Sequence, residues 1–132
     1  MKRLALVLLL LVVVGCERTT VRPEPPIAPT PLPPIVLPTR IEYRVTGTHQ
    51  NVTITYVTST QGTTVIKTDL PWFLGYDTVQ LSTFVYLQAD ASLNDSTEGP
   101  LIAQIFVNGV LFRETRGQGF NPSVTASGEV VR

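Results

Sequence analysis

The chain has 132 residues, with ten basic and ten acidic residues, a single histidine and a single cysteine. That length suits one compact domain with appended segments rather than two. Arginines of the later chain such as Arg40, Arg44, Arg113 and Arg116 are scattered, so it lacks the clustered basic face that nucleic-acid binding requires, and one cysteine excludes an internal disulfide.

Residues 1–15 have the three parts of a secretion signal. Lys2 and Arg3 give a positive start, Leu4 to Val14 form an apolar run, and Gly15 is the small residue before Cys16. The run is shorter than the roughly 20 residues a spanning helix needs. Val13-Val14-Gly15-Cys16 therefore reads as a bacterial lipoprotein cleavage and acylation site, with Cys16 the lipidated residue and the membrane its partner through acyl chains. Two or more chains hold a protein stably, at about 0.8 kcal/mol per buried CH₂. Glu17 is not the aspartate that usually retains a lipoprotein in the inner membrane, so the outer membrane is favoured where two membranes are present.

Residues 16–39 form the lipidated N-terminus and a linker crowded with proline (Pro23, Pro25, Pro26, Pro29, Pro31, Pro33, Pro34, Pro38). Proline fixes φ and removes the backbone donor, so neither helix nor ladder is expected. A polyproline-like tether of about 3.1 Å per residue would reach up to roughly 70 Å over residues 17–39.

Residues 40–132 read as an all-β domain. Apolar residues alternate at Ile41, Tyr43 and Val45, at Val52, Ile54 and Tyr56, and at Ala103, Ile105 and Val107, the period of half-buried strands. A tight connection is expected around Gly47, within Thr46–Gln50. A hairpin is expected at Thr60-Gln61-Gly62-Thr63, and a polar loop from Asn94 to Pro100. Asn108-Gly109 is the strongest turn signal, because a type I′ turn needs φ > 0 at both central residues; it predicts a hairpin over 101–115. Thr83–Leu87, apolar on both faces, is expected as a central strand. About seven strands at this spacing predict an immunoglobulin-like β-sandwich, with Trp72, Phe73, Phe84, Tyr86 and Phe106 at the centre of its core.

Glu42-Tyr43-Arg44-Val45-Thr46-Gly47-Thr48, Val52-Thr53-Ile54-Thr55-Tyr56, Leu70-Pro71-Trp72 and Ile105-Phe106-Val107-Asn108-Gly109 together resemble the soluble domain of the mycobacterial membrane protein small (MmpS) family and its bacterial lipoprotein relatives. The resemblance spreads over most of residues 41–130. It implies a small periplasmic β-sandwich and, in mycobacteria, an accessory role beside large lipid and siderophore exporters. Mycobacterial members use a transmembrane helix and commonly carry a cysteine pair in the domain, whereas this chain has the Cys16 motif, a proline tether and no second cysteine.

Catalytic chemistry has little to stand on. His49 sits at an expected turn and reads as an exposed loop histidine; no nucleophile signature joins it to Ser59, Ser82, Asp69 or Asp77. One histidine and scattered carboxylates give no zinc spacing, and the loop bearing Asp90, Asn94, Asp95 and Glu98 lacks the central glycine of a calcium loop. No cofactor is expected. Trp72 and Tyr76 are either core caps or an aromatic contact for a partner or ligand. Two functions from different classes follow: a non-enzymatic accessory protein docking on an envelope or export complex, or a binding module for a small molecule, lipid or glycan.

Overall fold

The structure, a computed structural model, describes residues 22–26, 28 and 30–132. The signal segment and Cys16 lie outside the described residues. The chain divides into two units between Pro33 and Pro34. The described part of the first has no helix or strand, and the second holds every strand found among the described residues.

Eight strands follow one another: β1 (Thr39–Gly47), β2 (Val52–Val57), β3 (Thr63–Thr68), β4 (Trp72–Thr78), β5 (Ser82–Asp90), β6 (Gly99–Val107), β7 (Val110–Gly119) and β8 (Ser123–Val131). They form two four-stranded antiparallel sheets, ordered β4-β1-β6-β7 and β3-β2-β5-β8. The expectation of about seven strands missed one: Pro71 closes the connection after β3, and the residues after it pair with β1 as a further strand rather than capping the sandwich.

The strand order also departs from the constant-type immunoglobulin arrangement, in which the first two strands share a sheet. Here β1 and β2 lie in different sheets. The segment around Gly47 is thus a crossing between sheets and not a hairpin. The two expected hairpins form. Gln61 (φ 62°) turns β2 into β3, with Thr58 N–H donating to Gly62 O at 2.7 Å. Asn108 (φ 49°) and Gly109 (φ 79°) turn β6 into β7.

Alternation sends Ile41, Tyr43 and Val45 inward from β1 and Arg40, Glu42 and Arg44 outward. The core is aliphatic. Val52, Ile54, Val85, Leu87, Leu101 and Ile105 are all fully buried, whereas Phe73 and Phe84 are about half exposed or more, and Trp72, Tyr86 and Phe106 are only partly covered. The expected aromatic centre is therefore corrected: two inner faces about 10 Å apart interdigitate best with medium-sized side chains. Tyr43 is the exception, and its hydroxyl, 3.0 Å from Val57 O, finds an acceptor at the rim. β5 is central in its sheet, as expected, but one-sided: Thr83, Val85, Leu87 and Ala89 face in while Phe84 faces out.

One flank is closed and the other open. A register shift between Ile105 and Phe106 leaves Phe112 as an extra residue in β7, and its ring packs over Gly128 of β8, where a Cβ would stand 2.7 Å from it. Thr115 Oγ1 donates to Thr125 O at 2.7 Å across the same flank. The opposite flank is formed by the edge strands β3 and β4.

Candidate functional site

The aromatic residues that the sequence singles out gather at that open flank. Trp72, Leu74 and Tyr76 alternate inward along β4, opposite Val45, Tyr43 and Ile41 of β1. The rings of this flank meet both across and within the sheets: Trp72 and Tyr56 lie 5.2 Å apart between centroids and Tyr43 and Tyr56 6.1 Å, each across the two sheets, while Tyr43 and Tyr76 of the same sheet form an edge-to-face pair at 5.9 Å. The Tyr43 and Tyr76 hydroxyls are 3.3 Å apart, and burial pushes both phenol pKa values up. Both remain neutral hydrogen-bonding groups, without general-base capacity near neutral pH. Trp72 and Tyr76 are thus half-sunk, and the ring that β4 turns toward solvent is Phe73, at 58% exposure.

Phe73 borders a shallow groove of about 290 Å³ on the outer face of β1 and β4, with Arg40, Glu42, Arg44 and Gly75 around it. The Arg44 guanidinium lies 4.2 Å from the Phe106 ring centroid, a cation–π contact. Arg40 reaches Asp77 at 3.4 Å and Glu42 at 3.7 Å, and Arg44 reaches Glu42 at 3.4 Å. Each charge in the groove is matched, so it offers no net electrostatic pull on an ion. It does combine an exposed ring with an unpaired strand edge, which suits contact with another chain. Sequence reasoning missed Phe73 as the exposed ring; its odd-numbered place between Trp72 and Leu74 was the available signal.

At the far end of the sandwich His49 is buried, contrary to the expected exposed loop histidine. The crossing segment packs tightly on the start of β6: Thr48 N–H donates to Pro100 O at 3.3 Å, and His49 Nε2 lies 3.1 Å from Gly99 O. His49 Nδ1 faces Asp95 Oδ2 at 3.3 Å but out of line for a hydrogen bond. Asp95 in turn accepts from Gln50 N–H and Thr97 N–H, each at 2.9 Å. These contacts clasp the β1–β2 and β5–β6 loops together. Asp69 is engaged with Asn51 N–H, Asp77 with Arg40 and Ser82 with Glu129. Among the described residues no three His, Cys, Asp or Glu side chains converge as metal ligands.

The Thr97 hydroxyl and the Gln50 and Thr97 amides hold the Asp95 carboxyl down at about 2, below its ordinary 3.8. A depressed carboxyl stabilises the fold fully above its unfolded pKa and loses that contribution as pH falls through the folded one. The urea midpoint is therefore expected to decline between about pH 4 and pH 2, and Asp95→Asn should flatten part of that acid slope. An unchanged slope in Asp95→Asn would show that the clasp carries no acid sensitivity.

Fold and surface together define an eight-stranded antiparallel β-sandwich with an aromatic open flank and shallow surface relief. No protein-family model matches the sequence, and no curated protein matches it.

Proposed function

We propose that this chain is a lipid-anchored, non-enzymatic envelope protein that presents its β-sandwich as an interaction domain, accessory to a membrane export complex. The anchor rests on Val13-Val14-Gly15-Cys16 and the proline-rich stretch behind it, and the export role on the resemblance to the MmpS family. The observation that carries the interaction reading is the β4 edge. It is a free edge of its sheet, it contains neither lysine nor proline to discourage pairing, and it carries exposed Phe73 beside a charge-balanced groove.

A photo-crosslinking residue at Phe73 tests this in the native envelope. Adducts to an export-complex subunit, formed from position 73 and not from Leu93 in the β5–β6 loop, are the expected result. Recovery of monomer alone, under conditions that capture established envelope complexes, would remove the interaction reading.

A further inference from the structure

The end of the sandwich at which β1 begins differs chemically from the opposite end. The registers Thr39↔Thr78, Ile41↔Val107, Val107↔Val110 and Ser82↔Val131 bring six strand termini together there, the starts of β1, β5 and β7 and the ends of β4, β6 and β8. Leu37, Val79, Leu81, Val110 and Val131 project from this end, each 65–75% exposed. The opposite end presents Gln50, Asn51, Lys67, Asn94, Asp95 and Thr97 around a polar hollow, with Leu93 and Phe120 its exposed large apolar side chains.

The apolar end is also well fixed. Arg40 N–H donates to Asn108 Oδ1 and Asn108 N–H to Arg40 O, at 2.9 and 2.8 Å. Arg132 N–H donates to Leu81 O at 3.1 Å, while its guanidinium reaches Thr39 Oγ1 at 2.8 Å and Val79 O at 3.4 Å. Apolar side chains are thus held on a pinned backbone with a cation among them, the combination that suits a phospholipid interface: hydrocarbon inward, guanidinium at the phosphates.

We infer that this end is a bilayer-contact surface. The inference rests on the lipid-anchor reading for its occupant, because the chain leads back to Cys16 from within the patch itself, through Leu37 and Pro38. An anchored tether keeps the domain at an effective concentration of the order of millimolar. Millimolar affinity for lipid is then enough to populate the seated state. A second copy is the poorer occupant, since a dimer formed through this end would have to accommodate both tethers in its interface.

The test uses the unacylated chain, residues 16–132 with Cys16→Ser, and vesicles of phosphatidylethanolamine and phosphatidylglycerol at millimolar lipid. Co-sedimentation is expected, and Leu81→Glu/Val110→Glu should weaken it about tenfold or more with the thermal midpoint kept. In the acylated native chain, a nitroxide on Val79→Cys should report lipid and one on Leu93→Cys should report water. Lack of vesicle association, an unaltered double variant, or a dimer lost in that variant without vesicle binding would each overturn the bilayer surface. The two readings fail separately. Vesicle binding by the Cys16→Ser chain beside an unacylated native protein would sink the anchor alone; acylation without such binding would sink the surface alone.

Discussion

Gly47→Ala is expected to remove a large part of the stability of the domain. Gly47 ends β1 opposite Leu101 at φ 154°, and a Cβ there would stand 2.3 Å from the carbonyl oxygen of Pro100. That oxygen is backbone in β6, so it cannot swing aside as a side chain would. A forced shift of this kind costs about 1–3 kcal/mol as overpacking, and a side chain in an unfavourable backbone region about 1–3 kcal/mol more. Small domains are stable by only about 5–15 kcal/mol in total. The urea midpoint should therefore fall sharply at unchanged slope, or the protein should fail to fold. Two other glycines provide the contrast. Gly109 has positive φ but nothing within 4 Å of its added Cβ, and Gly75 would meet only the far end of the long Arg40 side chain, which can shift where backbone cannot. Gly109→Ala should cost about 1 kcal/mol, and Gly75→Ala little. Equal losses at all three positions would show that the close approach of β1 to β6 is not what requires glycine at 47.

Cys16→Ser is expected to have the largest effect outside the folded domain. On the lipoprotein reading the thiol receives the diacylglycerol before cleavage, and serine cannot replace it in thioether formation. The variant should accumulate with residues 1–15 still attached and incorporate no labelled fatty acid. Its sandwich should fold as before, because Cys16 lies outside residues 34–132, which contain all eight strands of the two sheets. Metabolic labelling and the mass of the processed chain check this directly. Normal maturation of Cys16→Ser would end the lipoprotein reading and leave the domain without a stated anchor. Retention of the fold in the same sample, by thermal midpoint, separates a sorting defect from a folding defect.

Strand positions were legible because they follow from a local property. Side chains alternate across a pleat, so Ile41, Tyr43 and Val45 announce one buried face without reference to the rest of the chain. Asn108-Gly109 was equally readable, since its turn depends on two residues. The aromatic residues were not, for a reason visible in β5: Phe84 and Tyr86 share one parity, Val85 and Leu87 the other, and both sets are apolar. Only pairing with β2 and β8 turned the aliphatic set inward. In β4, parity separates Trp72 and Tyr76 from Phe73, but a seven-residue strand running from just after Pro71 to Thr78 did not stand out until β1 was beside it.

The same division holds for the candidate sites. Cys16, its apolar leader and the proline stretch are sequence features that need no fold to be read, and they define the expected anchor. His49 needed the fold, because its partners Gly99 and Asp95 are some 50 residues away in sequence and become neighbours only when the β1–β2 crossing packs on β6. The apolar end needed it as well: Leu37, Val79, Leu81, Val110 and Val131 come from four separate segments, and antiparallel registers alone make them one surface. By itself the sequence determined an all-β domain preceded by a proline-rich stretch, with a lipoprotein-type leader as an expectation, because periodicity, turn chemistry and motif spacing are encoded within a few residues. The tertiary structure decided which faces are buried, that β1 and β2 part into separate sheets, and where Phe73 and the apolar end are presented, because those outcomes depend on pairings between distant strands.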